Sequence, residues 1–132
     1  MKWVRPKELA RSCRPGYPSR SVSVTDVDRW IAEARLLGIG TIICLLAPNQ
    51  LAFYDAVPEG LVEYYRANGF TVVHLPTEDK PGDPSPLSRE ELESIAEAYD
   101  RAEKPALIHC SAGIDRTGAA VTYICKAADS LQ

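Results

Sequence analysis

The sequence predicts an α/β fold in which helices flank a central, largely parallel sheet. Three continuous apolar segments, 41–46, 71–75 and 106–110, have the composition of strands that are covered on both faces. Segments with helical patterns alternate with these strands along the chain. Such alternation is typical of layered α/β domains with parallel strands.

The first half of the chain begins with residues 1–20, which we expect to form a loop because prolines and a glycine interrupt them. Thr25 and Asp28 resemble a capping box, with aspartate in the place of the usual glutamate, and predict a helix that continues to about Leu37. The glycines that follow end this helix before the first strand. A second helix is predicted over 59–68, before the second strand.

The second half of the chain continues with a stiff, irregular loop, predicted by the prolines within 76–86. Ser88 and Glu91 have the spacing of a capping box and predict a helix through about Glu103. The third strand follows, then a glycine-containing loop and a last helix over 117–128. A loop between a parallel strand and a helix lies at the carboxyl edge of the sheet, where ligands of open α/β sheets bind.

Length and composition restrict the function classes. With 132 residues, of which 45% are hydrophobic and 25% charged, we expect one domain over 1–132. The net charge of −3 provides no global basic field, so no nucleic-acid partner is expected. No apolar run reaches the roughly 18 residues of a membrane span. The four cysteines have neither CxxC nor zinc-site spacing, and we expect a reducing, cytoplasmic setting.

The segment 109–118, HCSAGIDRTG, carries the chemistry. Five residues separate Cys110 from Arg116, and a loop of this length that includes Gly113 can turn successive backbone N–H groups toward one point. Together with the N-terminus of the next helix, these groups would form an anion site. The residues expected to bind a phosphate group are Ser111, Ala112, Gly113, Ile114, Asp115 and Arg116.

Each polar side chain of this loop suits a part of phosphoryl transfer. The guanidinium of Arg116 can bind two phosphate oxygens at once, which a lysine could not do. The same positive environment favours the thiolate form of Cys110, which can attack phosphorus and form a phosphocysteine. The hydroxyl of Ser111 or Thr117 can stabilise the sulfur as a leaving group. His109 is expected to orient Cys110 or the loop backbone, since a thiolate that is already formed needs no general base.

HCSAGIDRTG resembles the signature loop of the protein tyrosine phosphatase superfamily, in its small dual-specificity-like branch. The order of elements before the loop is similar over nearly the whole chain, although only the loop is diagnostic. The resemblance implies the protein tyrosine phosphatase-like fold, a two-step reaction through a phosphocysteine, and no metal or other cofactor. Only 16 residues follow Arg116, fewer than in relatives, so we expect a minimal domain, a C-terminally truncated chain or a face that another subunit covers.

Ester cleavage also needs an acid that protonates the leaving oxygen, and relatives supply an aspartate from a loop upstream of the cysteine. Asp79 lies 31 residues before Cys110, a spacing similar to that of small family members, and is the expected acid. Asp83 is the nearest alternative and Glu78 a poorer one. Asp115 is a further candidate, because phosphoinositide phosphatases of the myotubularin type also have Asp-Arg-Thr here. We expect Asp115 instead to reduce the positive charge of the site or to bond to the backbone.

The segment 9–19, LARSCRPGYPS, resembles the Arg-Ser-x-x-Pro element near the start of several small phosphatases, where it packs beside the catalytic pocket. On that resemblance Arg11 and Ser12 have mainly structural roles. Arg14 or Tyr17 is then the residue of this segment that contacts substrate.

Three function classes remain open from the sequence. The first is a phosphatase for phosphotyrosine, and also phosphoserine or phosphothreonine, in proteins. The second is an enzyme for phosphoinositides, inositol pyrophosphates or a small phosphorylated metabolite, which the basic N-terminus favours and the absence of lysines at 112 and 114 opposes. The third is a phosphoprotein-binding module without turnover, which the intact Cys110, Arg116 and Thr117 oppose. We expect the first, with a phosphorylated protein or small phosphorylated substrate as partner, while the oligomeric state stays open.

Overall fold

The computed structural model describes residues 1–130 and contains a five-stranded sheet. Its strands are β1 (Lys2–Arg5), β2 (Leu9–Ser12), β3 (Thr41–Cys44), β4 (Thr71–His74) and β5 (Ala106–His109). Their order across the sheet is β1-β2-β5-β3-β4. Only the β1–β2 pair at one edge is antiparallel, and all other pairs are parallel. The predicted α/β class with a largely parallel sheet is therefore confirmed.

Helices cover both faces of this sheet. They are α1 (Val24–Leu36), α2 (Pro48–Leu51), α3 (Leu61–Ala67), α4 (Arg89–Arg101) and α5 (Asp115–Ser130), with a 3₁₀ turn at Ala52–Tyr54 after α2. Within residues 1–130, none of them combines the length and the apolar character that crossing a membrane requires.

The core consists of two apolar layers, one on each face of the sheet. Along β3, Ile42 packs into one layer and Ile43 into the other, as the two-residue period of a strand dictates. The first layer contains Trp30 of α1 and Tyr65 of α3. The second contains Ile95 of α4 and side chains of α5. Full burial of each large side chain contributes about 1.5–3 kcal/mol, which holds the strand ends in fixed positions.

The register of the central strands brings their carboxyl ends to one level. His109, the last residue of β5, lies opposite Ser12 of β2 and Cys44 of β3. The residues that follow each strand therefore emerge side by side at the same edge. The loop that begins at Cys110 lies in the middle of that edge, and α5 leads away from it at Asp115.

The prediction of a loop over 1–20 is wrong for two segments, since β1 and β2 form strands there. Leu9 and Ala10 are fully buried because β2 lies between β1 and β5. Arg11 and Ser12, in contrast, are polar residues at the carboxyl edge of the sheet. A four-residue strand that is half apolar and half polar shows no clear alternation in sequence.

The start of the first helix also differs from its prediction. α1 begins at Val24, and its N-cap is Ser23, whose hydroxyl accepts a hydrogen bond from the N–H of Asp26 at 3.2 Å. The proposed capping box at Thr25 and Asp28 is therefore wrong. The sequence also does not predict α2, whose single turn is too short to produce a helical pattern. The other predicted elements are present within about two residues of their expected ends.

Candidate active site

In the first half of the loop after β5, the backbone carbonyl oxygens accept hydrogen bonds from neighbouring residues. Nδ1 of His109 donates a hydrogen bond to the carbonyl of Cys110 at 3.0 Å, and the N–H of Arg14 donates to the carbonyl of Ser111 at 2.8 Å. In a planar trans peptide the next N–H points opposite to the carbonyl. The N–H groups of Ser111 and Ala112 therefore point away from these partners.

The carbonyl oxygens in the second half of the loop also accept hydrogen bonds. Nη2 of Arg11 donates to the carbonyl of Gly113 at 2.8 Å, and the N–H of Gly118 donates to the carbonyl of Ile114 at 2.8 Å. The N–H groups of Ile114 and of the next residue point the opposite way. In the described part of the chain, the backbone N–H groups of 111–114 donate to no acceptor. They are available to an anion, and their role in binding a phosphate group stays a prediction.

Gly113 makes this loop possible through both its conformation and its position. Its φ is +75°, in the left-handed region that side chains disfavour. A Cβ at this position would lie 2.6 Å from the backbone nitrogen of Cys13 and from the carbonyl group of Ser12. The end of β2 therefore packs directly against the loop, and only glycine fits there.

Arg116 is almost fully buried, at 1% exposure, and its guanidinium is held on one side. Nη1 donates to the carbonyls of Leu45 at 3.2 Å and Thr77 at 3.0 Å, while Nη2 donates to Oε1 of Gln50 at 3.1 Å. Nε and the second hydrogen of Nη2 have no hydrogen-bond acceptor within residues 1–130. These two donors form the edge of the guanidinium that fits two oxygens of a phosphate.

His109 lies beneath the loop and is fully buried. Because the carbonyl of Cys110 can only accept, Nδ1 of His109 carries the proton, and Nε2 accepts a hydrogen bond from the hydroxyl of Tyr65 at 3.0 Å. Burial lowers the pKa of His109 from 6.5 to about 4, so the ring is neutral at pH 7. This arrangement fits the expected role of orienting the loop and leaves no free ring nitrogen for a general base.

Cys110 is 2% exposed, and the hydroxyl groups of Ser111 and Thr117 differ in their partners. Oγ of Ser111 accepts a hydrogen bond from Nε of Arg14 at 3.0 Å. Oγ1 of Thr117 is buried and has no hydrogen-bond partner within the residues that the structure describes. An unpaired buried hydroxyl is unfavourable, so Thr117 has an unused hydrogen-bond donor among the described residues.

A cavity of about 790 Å³ opens in front of the loop. Cys110, Arg116 and Asp115 line it from the side of the loop. Asp79 lies on its wall, with Oδ2 accepting a hydrogen bond from Nε2 of Gln50 at 3.1 Å and Oδ1 lying 3.8 Å from Nη2 of Arg116. The structure therefore brings the expected nucleophile, phosphate-binding arginine and acid to one cavity.

The other two acids of the proline-rich loop lie elsewhere. Asp83 lines a different cavity, and its Oδ1 accepts a hydrogen bond from the N–H of Ser85 at 2.8 Å. Glu78 is exposed and does not line the cavity of Cys110. Its position in the cavity of Cys110 therefore favours Asp79 over Asp83 and Glu78 as the acid. Asp115 lines the same cavity.

The N-terminal segment supports the loop and also lines the cavity. The side chain of Arg14 is 2% exposed, and its guanidinium stacks over the rings of Phe53 at 4.8 Å and Tyr17 at 5.4 Å. All three side chains line the cavity. The side chain of Arg11, as far as the described residues show, hydrogen-bonds only to backbone carbonyls of the loop. Arg14 and Tyr17 therefore line the cavity, while contact of either with substrate stays a prediction.

The sequence does not identify three residues that contact the site side chains: Gln50, Thr77 and Tyr65. Gln50 and Thr77 follow β3 and β4 at the carboxyl edge of the sheet, and polar residues at that edge are a signal that could have identified them. Tyr65 carries no such signal, because it lies within α3. Cys44 also ends a strand at this edge, but burial raises its pKa to about 12, so it stays a protonated thiol.

Comparison with known proteins gives a family match and two similar folds. A family model described as "Polymorphic toxin system, DSP-PTPase phosphatase" matches residues 15–128. P. aeruginosa TpbA is 22% identical over 84% of this chain with a TM-score of 0.49, and the chain spans about half of that protein, 53%. A putative phosphatase from Shewanella putrefaciens CN-32 is 19% identical over 91% of this chain and 74% of its own, and its TM-score of 0.57 shows a shared fold. No curated protein matches the sequence.

Proposed function

The chain belongs to the DSP-PTPase phosphatase family of polymorphic toxin systems, and from that premise we propose that it hydrolyses phosphate monoesters through a phosphocysteine on Cys110. One observation carries the proposal above all others. Among the described residues, the N–H groups at 111–114 of the loop that holds the thiol of Cys110 donate to no acceptor, and the unpaired edge of Arg116 lies in the same cavity as this thiol.

In the first step the loop N–H groups and Arg116 bind the phosphate dianion. The thiolate of Cys110 attacks phosphorus, so that a P–S bond forms while the P–O bond to the leaving group breaks. The leaving oxygen takes a proton from Asp79, which lies on the wall of the cavity. The product of this step is the phosphocysteine with the dephosphorylated alcohol or phenol.

In the second step a water molecule attacks phosphorus, and Asp79, now ionised, accepts its proton. The P–S bond breaks, which releases inorganic phosphate and restores the thiolate of Cys110. The hydroxyl of Thr117 is suited to donate to the departing sulfur, since no acceptor within residues 1–130 pairs with it.

We propose phosphotyrosine, and also phosphoserine or phosphothreonine, in proteins as the substrate class. Tyr17, Pro18, Phe53 and Pro81 give the cavity apolar walls that suit an aromatic ring. A second candidate class is polyphosphorylated small molecules, including inositol phosphates and phosphoinositides. It is favoured by a separate observation, that Arg14 and Arg20 line the cavity in addition to Arg116.

The reaction is tested with 4-nitrophenyl phosphate in the presence of EDTA. We expect hydrolysis that vanadate inhibits, and no turnover for Cys110→Ser. Cys125→Ser, which changes a half-buried thiol of α5, is the matched control and should retain activity. Full activity of Cys110→Ser would contradict the mechanism, and an inactive wild type would favour a binding module.

The acid is tested by Asp79→Asn, with Asp83→Asn as the matched control from the same loop. We expect kcat of Asp79→Asn to fall about 100-fold, because proton transfer contributes about 10²–10⁴ to such rates. An unchanged kcat would transfer the role to Asp115.

Substrate class is tested by a phosphopeptide panel run beside an inositol phosphate and phosphoinositide panel. We expect the highest kcat/KM on phosphotyrosyl peptides. A preference for polyphosphorylated inositols, abolished by Arg14→Gln with Arg20→Gln, would establish the second class instead.

A further inference from the structure

We propose that Gln50 is a positioning residue of this reaction, which aims the carboxyl group of Asp79 at the leaving oxygen. The inference rests on the proposed function, since it concerns the proposed acid. Gln50 lies in α2 and is 4% exposed. Its side chain contacts both the residue that would bind phosphate, Arg116, and the residue that would protonate the leaving group.

The orientation of the Gln50 amide follows from its partners. Oε1 accepts from Nη2 of Arg116 at 3.1 Å and from the N–H of Ala47 at 3.2 Å, while Nε2 donates to Oδ2 of Asp79 at 3.1 Å. The reversed amide would place its NH₂ group against two donors and its oxygen against a carboxylate. Only one orientation therefore satisfies all three partners.

This orientation selects the oxygen of Asp79 that carries the proton. Because Oδ2 accepts from Gln50, protonation is favoured at Oδ1. Oδ1 is the oxygen that lies 3.8 Å from Nη2 of Arg116, next to the phosphate-binding edge. Gln50 thus places the transferable proton on the side of Asp79 that faces the bound phosphate.

The contact is also the only hydrogen bond that the Asp79 carboxyl makes within residues 1–130. Asp79 belongs to the irregular loop between β4 and α4, and its side chain is 39% exposed. Without Gln50, nothing else in the described chain hydrogen-bonds this carboxyl in one position. A displacement of about 1 Å in a catalytic group can reduce a rate about 100-fold.

Gln50→Glu removes the N–H donor that faces Asp79 but keeps the oxygen that accepts from Arg116 and Ala47. The carboxylate can still accept from Arg116 and from the N–H of Ala47, but it faces Asp79 with an oxygen instead of an N–H. The assay compares kcat/KM for phenyl phosphate, whose leaving phenol has a pKa of about 10, with that for 4-nitrophenyl phosphate, a better leaving group. We expect a further 10- to 100-fold loss on phenyl phosphate relative to 4-nitrophenyl phosphate.

Asn49→Asp is the matched control, because it adds the same charge at the neighbouring position of the same cavity. It should leave the ratio between the two substrates unchanged. Gln50→Met, which removes all three hydrogen bonds at similar volume, is the second variant should Gln50→Glu not fold, and it should change the ratio in the same direction. Equal losses on both substrates in the Gln50 variants, or the same ratio change in Asn49→Asp, would overturn the proposal.

A double-mutant cycle provides an independent readout. If Gln50 acts through the acid, Asp79→Asn with Gln50→Glu should lose no more on phenyl phosphate than Asp79→Asn alone. Additive losses would overturn the positioning role. Failure of the proposed function gives a different result, since the wild type would then hydrolyse neither substrate or Cys110→Ser would retain activity.

Discussion

Lowering the pH from 7 to 5 should destabilise this protein mainly through His109, a group whose surroundings the structure defines fully. The ring is completely buried and neutral, with Nδ1 donating to the carbonyl of Cys110 and Nε2 accepting from Tyr65. Burial lowers its pKa to about 4, against 6.5 in the unfolded chain. Between these values the unfolded chain binds more protons, so the free energy of unfolding falls as the pH falls.

The magnitude follows from the difference between the two pKa values. The neutral, buried ring of His109 contributes at most about 3 kcal/mol to the free energy of unfolding. This contribution is present above pH 6.5 and is lost as the pH falls through about 4. Between pH 7 and pH 5 the loss is about 2 kcal/mol. Urea denaturation at both pH values measures it, and His109→Asn, which cannot become charged, should lose about 2 kcal/mol less than the wild type over this interval.

His74→Gln is the matched control, since it removes the other of the two histidines in the chain. It should keep the difference between pH 7 and pH 5 that the wild type shows. Equal losses for wild type and His109→Asn would refute the account of a buried, neutral ring beneath the loop.

The remaining predictions concern the loop and its supports. Gly113→Ala should lose at least about 2 kcal/mol in urea denaturation together with most of its activity, because the new Cβ would lie 2.6 Å from backbone atoms at a positive φ; an unchanged midpoint would argue against this packing. Thr117→Val should leave the thermal midpoint unchanged or raise it, since the described chain offers its hydroxyl no partner, while kcat falls about 10-fold with a burst of 4-nitrophenol; unchanged kcat would exclude the hydroxyl from the second step. Arg14→Lys keeps a charge but loses the bond from Nε to Ser111, so KM for 4-nitrophenyl phosphate should rise about 10-fold; an unchanged KM would show that the charge alone suffices.

The layered fold could be predicted because its signals are local and strong. Strands β3, β4 and β5 are continuous apolar segments, and Ser88 with Glu91 forms the expected capping box at the start of α4. β1 and β2 could not be predicted, since β2 is stabilised by pairing with the distant strand β5, and β1 by pairing with β2, rather than by their own sequences. α2 is a single turn, which leaves no periodic pattern.

The candidate site also contains residues that the sequence identifies and residues whose roles it does not reveal. The family resemblance of HCSAGIDRTG is confirmed by the family match over residues 15–128. The roles assigned to Cys110, Arg116 and Asp79 stay predictions, although the structure places all three at one cavity. The place of Gln50 after β3 is a signal in the sequence, but its role could not be predicted, because that role lies in two contacts, to residues 29 and 66 positions away. Such contacts exist only once the strands bring their carboxyl ends together.

The central claim is that Cys110 is phosphorylated during turnover. Its most direct test is rapid acid quenching of the enzyme with 4-nitrophenyl phosphate, followed by mass spectrometry of the peptide that contains Cys110. We expect the added mass of one phosphoryl group on that peptide, enriched in Thr117→Val and absent in Cys110→Ser. A phosphoryl group on another residue, or turnover in Cys110→Ser at the rate of the wild type, would contradict the mechanism.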